Sequence, residues 1–275
     1  MRAGFSRFAR NRLALVGAGL LLCLVLLVVL SPLLYPGDPF RLAGPALRPP
    51  GGAFLLGTDT LGRDVAAEVA YGARTSLLIG IGATLGAIVF GVIVGGLAGF
   101  YRGAVEVALM RLTEFFQTIP AFILAILIVA ILSPSVTNEV IAIAAVSWPG
   151  IARLVRGEFV ALGGREFVLA CSGLGAGDAR IIFRHLLPNC LSQIIAVGSL
   201  LIGTSILIEA GLAFLGLGDP NVMSWGLIIS AGRAVLRSAW WICTFPGIAI
   251  LLTVLGINLT GDGLNEALNP RLRDR

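Results

Sequence analysis

Long apolar blocks separated by short arginine-bearing segments dominate the chain. A block of about 20 apolar residues has the length that a helix needs to cross a bilayer. Spans are expected near 13–34, 75–100, 112–132, 139–155, 194–215 and 241–260. The fourth has the shortest apolar run, and its Pro149 frees a backbone carbonyl and favours a kink. The pattern predicts an all-α, polytopic membrane helix bundle with six transmembrane helices.

One stretch breaks the pattern. Between 153 and 193 the chain turns polar around Gly173-Leu174-Gly175-Ala176-Gly177-Asp178. Glu166 opens a short helix through Phe167 to Ser172, which Gly173 and Gly175 stop. Gly177 and Asp178 supply a turn and an N-cap for a second helix over 179–187, and Pro188 ends that helix or marks its exit. The result is a stiff knob presenting Leu169, Ala170, Cys171, Leu174 and Ala176, ringed by Arg165, Arg180 and Arg184. Such a knob suits a lever that a soluble motor domain grips; a passive loop is the alternative.

The second span carries Gly80, Gly82, Gly86, Gly91, Gly95, Gly96 and Gly99. Small residues four apart let helix backbones approach closely, within the chain or across a subunit interface. Before this span, 35–57 is rich in proline and glycine. Thr58 or Asp59 can then cap a short helix over 62–73 that carries Arg63, Asp64 and Glu68, for which a solvated helix lying on the membrane is the plain reading.

Composition agrees with lipid surroundings: 57% of residues are hydrophobic and 13% charged. The net charge of +5 comes from 20 arginines and no lysine, dispersed between apolar blocks, which argues against a nucleic-acid partner. With the N-terminus cytoplasmic, 14 arginines fall inside, including Arg2, Arg7, Arg10, Arg271, Arg273 and Arg275, against six outside. The positive-inside rule therefore places both termini and the knob in the cytoplasm. The first block runs about 22 residues with no small-residue cleavage site beyond Pro32 and Pro36, so it is expected to stay as a span rather than leave as a signal peptide. Cys23, Cys171, Cys190 and Cys243 have no paired spacing and read as reduced thiols.

Few ionisable residues enter the spans. Glu209, late in the fifth, must be paired, hydrated or protonated; gating or packing, substrate contact and a place at the outer interface are the options. Glu114 and Gln117, spaced near one helical turn, come before Pro120 and either line the cytoplasmic half of a passage or sit at a span entrance, with Pro120 bending the helix. His185 is the sole histidine, so no multi-histidine metal site can form; a contact at a helix C-terminus fits it better than a proton relay or nickel ligand. No lysine is available for a phosphate-binding loop, and no nucleophile is paired with a base.

Four blocks in order resemble the binding-protein-dependent ABC importer permeases of the dipeptide, oligopeptide and nickel branch, and most closely the second permease subunit. They are the opening helix over 12–34; Leu56-Gly57-Thr58-Asp59-Thr60-Leu61-Gly62-Arg63-Asp64 with Tyr71-Gly72-Ala73-Arg74-Thr75-Ser76-Leu77; Arg165-Glu166-Phe167 through Gly175 to Phe183-Arg184-His185-Leu186-Leu187-Pro188-Asn189; and Glu209-Ala210-Gly211-Leu212-Ala213-Phe214-Leu215-Gly216-Leu217-Gly218. The family's usual Glu-Ala-Ala reads Leu169-Ala170-Cys171 here, while Gly175 is kept. The resemblance implies a type I importer fold, with 1–74 as an N-terminal span and extracytoplasmic segment and 75–275 as a core whose coupling region lies at about 156–192. It assigns ATPase coupling to Glu166, Leu169, Ala170, Cys171, Leu174, Gly175, Ala176, Asp178, Arg184 and Pro188, and an extracytoplasmic motif to Asp59, Gly62, Arg63 and Asp64. It further implies a homologous permease, two ATPase subunits or domains holding ATP and Mg, a solute-binding protein, peptide cargo, and a bacterial or archaeal cytoplasmic membrane; the chain itself needs no cofactor and performs no catalysis. Nickel or another small solute is the alternative cargo. A stand-alone secondary transporter is a further alternative, although no internal repeat supports it.

Overall fold

The computed structural model describes residues 11–268; the arginines at 2, 7, 10, 271, 273 and 275 lie outside the described residues. Asn11 caps α1 (Arg12–Leu34) by accepting from the Leu13 and Ala14 amides. The other long helices are α2 (Val65–Tyr101), α5 (Val136–Gly163), α7 (Asp178–Phe214) and α9 (Trp241–Leu268). These five are long and apolar enough to cross a membrane, and the bent pair α3 (Gly103–Thr118) and α4 (Ala121–Leu132) adds a sixth. Short α6 (Glu166–Gly173) and α8 (Trp225–Gly232), the latter followed by a 3-10 turn at Arg233–Val235, complete the described helices.

The glycines of α2 serve packing within the chain. A Cβ at Gly91, Gly95 or Gly99 would collide with Ile151, the Ala152 carbonyl or the Arg156 carbonyl of α5. The order of these contacts makes α2 and α5 parallel neighbours, while Gly80 against Ile206 and Gly198 against Ile88 make α7 antiparallel to α2. α1 lies outermost, antiparallel to α9, with Gly17 against Leu259 and Gly256 against Leu20. The bundle thus has a loop end, gathering 35–64, 133–135 and 215–240, and a knob end, gathering the Arg102 turn and 164–177. Asn11 and Glu266 meet at the knob end through a 2.8 Å hydrogen bond.

Several expectations change. The helix before the second span is not a separate surface element: α2 is continuous from Val65, with Asp64 rather than Thr58 or Asp59 as its N-cap, accepting from the Ala66 amide at 2.9 Å. Glu68 is buried on the face that would have met water. At about 55 Å, α2 exceeds the roughly 30 Å hydrocarbon core, so its polar turns need not enter lipid. The third span is broken, with α3 and α4 meeting at 85° across Ile119 and Pro120. Pro120 has no amide to continue the ladder and keeps the preceding residue extended.

The second knob helix does not end at Pro188. It is the start of α7, whose π-helical turn at Ile182–Leu186 lets the Leu187 amide reach the Ile182 carbonyl. The wider turn accommodates the proline ring, which an unbroken α-helix would drive against the preceding turn. His185 therefore sits inside a long helix and not at a C-terminus. Asp178 is the first residue of that helix and makes no capping bond; Gly177 occupies the N-cap.

Candidate coupling surface and buried polar cluster

α6 rises from the knob end on the short Gly163-Gly164 link. Val168 anchors it by packing with Val155 and Phe159 of α5 and with Ile181 and Leu186 of α7. With Val168 turned inward and Cys171 half-buried, the other side chains face out: Leu169 is 59% and Leu174 88% exposed, joined by Phe167 and by Phe183 from the π turn. The helix closes in a Schellman turn. The Gly175 amide donates to the Ser172 carbonyl (2.9 Å) and the Ala176 amide to the Cys171 carbonyl (3.1 Å). This geometry holds Gly175 at φ +78°, where a side chain is strained.

The residues assigned from sequence to coupling are mostly exposed at the knob and the start of α7. Glu166, Leu169, Ala170, Leu174, Gly175, Asp178, Arg184 and Pro188 are exposed, and Cys171 and Ala176 are half-buried. Cys171 Sγ lies 3.7 Å from His185 Nε2, which ties α6 to the π turn. An apolar centre rimmed by Arg180 and Arg184 has the composition of a protein-docking patch.

At the loop end, the Asp59 to Asp64 motif folds into a compact turn. Asp59 is buried and accepts from the Leu61 (2.8 Å) and Arg63 (2.7 Å) amides. A Cβ at Gly62 would overlap the Gly44 carbonyl, and its φ is +86°. Arg63 stacks over Phe40 and lies 3.9 Å from Glu68. Asp64 caps α2, and burial, with the Asp64 charge adding to it, raises the Tyr35 hydroxyl above its ordinary pKa. The indole of Trp241 donates to the Thr58 carbonyl at 3.0 Å and pins the turn to α9.

Glu209 is fully buried inside this chain. It accepts from Ser76 Oγ of α2 at 3.0 Å, and Ser76 in turn accepts from the Trp225 amide at 3.2 Å. Glu139 in the first turn of α5 is also buried, lies within electrostatic reach of Glu209, and accepts from the Asp219 amide at 3.1 Å. Each carboxylate leaves one oxygen without a hydrogen-bond partner among the described residues. Sequence reasoning singled out Glu209 alone. Ser76, Glu139 and Trp225 join it only through contacts 70 to 149 residues apart, which no local pattern signals. α8 was likewise missed, its apolar run being too short to stand out as a span.

Glu114 and Gln117 are exposed on α3, before the break at Pro120. Glu114 pairs with Arg111 at 3.0 Å. Neither approaches Glu209 as a hydrogen-bond partner, so the structure separates the polar residues of α3 from the buried cluster.

Fold and site together define a multi-pass membrane helix bundle with an exposed apolar knob between its spans. The family model described as "Binding-protein-dependent transport system inner membrane component" matches residues 87–274, and "N-terminal TM domain of oligopeptide transport permease C" matches 1–50. The chain is 40% identical to the "Dipeptide transport system permease protein DppC" of Alkalihalophilus pseudofirmus, over 99% of this chain and 90% of that protein. It is 41% identical to the "Di/tripeptide transport system permease protein DppC" of Pseudomonas aeruginosa (97% and 91%). It is 36% identical to the "Oligopeptide transport system permease protein OppC" of Bacillus subtilis (97% and 88%). Among solved structures, an inward-facing MetNI methionine ABC transporter shares the fold, with a TM-score of 0.63 and 19% identity over 74% of this chain and 96% of the matched chain. The chain belongs to the binding-protein-dependent ABC importer permeases, in the C-type subunit group of the peptide branch.

Proposed function

We propose that this chain is one of two permease subunits of an ATP-driven importer of dipeptides or oligopeptides in a bacterial cytoplasmic membrane. The observation that carries the reading is near-full-length identity of about 40% to dipeptide permeases, combined with the exposed Leu169 and Leu174 surface at the point where a motor would act. ATP hydrolysis belongs to two ATPase subunits or domains. A homologous permease supplies the other half of the passage, and a solute-binding protein delivers the peptide.

The knob end faces the cytoplasm, in line with the arginine distribution. There Glu166, Leu169, Ala170, Cys171, Leu174, Gly175, Ala176, Asp178, Arg184 and Pro188 form the ATPase-docking region within about 156–192. The turn of Asp59, Gly62, Arg63 and Asp64 faces outward, as part of an N-terminal unit over 1–74 attached to a core over 75–275; separate family matches to 1–50 and 87–274 support that division. Glu114 and Gln117 line the inner part of the passage. Glu209, buried within its own subunit, acts on the outer gate rather than on cargo.

ATP-driven closure of the ATPase pair shifts the knob, and α5 and α7, packed on it, turn between inward- and outward-facing arrangements. The direct test is purification in mild detergent with mass spectrometry of the co-purifying proteins. A homologous permease, ATPases and a solute-binding protein are expected. A stable protein repeatedly recovered without an ATPase would overturn the importer reading.

A further inference from the structure

α3 is held by very few contacts. Thr113 is its one buried residue among the described residues. It follows α2 across Arg102 and Gly103, both at positive φ (52° and 55°), so the two helices reverse direction at a sharp two-residue joint. One turn beyond that joint, Glu106 accepts from Arg156 of α5, from Nε at 2.7 Å and also from Nη2. At the far end of α3, beside the Pro120 elbow, Phe116 meets Trp148 of α5 edge-on at 5.3 Å. Between these points the helices flank a cleft of about 370 Å³ lined by Met110, Arg111, Glu114 and Arg153, space into which α3 can move.

α5, by contrast, is locked to the knob. Val155 and Phe159, on either side of Arg156, belong to the cluster that buries Val168 of α6. The Arg156 carbonyl also lies against Gly99 of α2. Arg156 therefore reports the position of the knob, and Glu106 is where α3 receives it. The recipient matters because the backbone break at Ile119 and Pro120 belongs, in a membrane protein, against other protein or a water-filled cavity.

We propose that the Glu106–Arg156 pair is a positioning strut that carries movement of the docking knob from α5 into α3 and so to the Pro120 elbow at the passage. This rests on the importer reading. The two side chains are only 20% and 41% exposed, so the pair is partly shielded from solvent, and both guanidinium donors converge on the one oxygen Glu106 Oε1, a charge-assisted contact that ties α3 to α5. A pair of this kind adds little to stability, and its contribution is orientation.

The test uses the complete importer as it co-purifies, reconstituted in proteoliposomes with its binding protein, and measures peptide taken up per ATP hydrolysed. Glu106→Gln and Arg156→Gln are each expected to lower that ratio about fivefold or more, with ATP turnover changed by no more than about twofold. The exchanged pair, Glu106→Arg with Arg156→Glu, is expected to recover most of the loss, which a merely structural defect at either site would not allow. Hydrogen exchange across 103–118 should respond to trapped ATP in the unaltered and exchanged importers and be insensitive in the single variants. Normal uptake per ATP in the single variants, or an intact exchanged complex no better than they are, would overturn the strut while leaving the importer reading in place. An unaltered complex that shows no ATP-driven peptide uptake would overturn both.

Discussion

Ser76 and Glu209 meet at 3.0 Å inside the bundle toward its loop end, and the same serine accepts the amide of Trp225, so one hydroxyl joins α2, α7 and α8. A carboxylate in such a place is costly unless its partners are kept, which makes the cluster sensitive to shape as well as charge. Glu209→Gln retains an acceptor for Ser76 and is expected to leave the melting temperature in detergent within a few degrees. Glu209→Ala removes the acceptor and opens a void, with an expected loss of about 2 kcal/mol, read by thermal unfolding of the purified chain.

Leu174 projects from the knob with no packing role in this chain. Leu174→Asp should insert in the membrane and melt like the unaltered protein. It should weaken association with the ATPase subunits about tenfold or more, as expected for a charge placed at the centre of an apolar docking patch and checked by binding titration of the purified subunits.

Gly175 adopts φ +78° with open space around it, so a substitution there strains the backbone without a clash. Gly175→Val is expected to loosen the Schellman turn at a cost of roughly 1–2 kcal/mol. Peptide uptake should fall while ATP hydrolysis by the complex continues; unchanged uptake per ATP would count against the knob as a lever.

Gly95 is a different case, because the limit is contact. Its missing Cβ is replaced by the Ala152 carbonyl of α5. Gly95→Val must push α2 and α5 apart, and an overpacking cost of about 1–3 kcal/mol or more should appear as low yield and aggregation on size-exclusion chromatography.

Trp241 ties the Asp59 to Asp64 turn to the bundle through the Thr58 carbonyl. Trp241→Phe keeps the ring and removes the donor. The expected cost is about 1 kcal/mol, with faster proteolysis within 35–64 and an unchanged knob.

Sequence alone determined the all-α membrane class, the approximate spans and the position of the knob. The physical reason is that bilayer thickness sets the length of apolar blocks and that glycine and proline punctuate helices locally. It also marked Glu209, since a carboxylate in an apolar block is conspicuous wherever the chain goes, whereas the Asp59 to Asp64 motif stood out through its resemblance to the family. Only the tertiary structure decided which partners those groups meet. Asp64 caps α2 because Asp59 is occupied closing its own turn; α7 runs past Pro188 because a π turn absorbs the ring; and the α2 glycines serve α5, a neighbour that no local spacing names. Side-chain burial and the pairing of Ser76 with Glu209 or Glu106 with Arg156 depend on residues 133 and 50 positions apart, and such contacts exist only once the helices have packed.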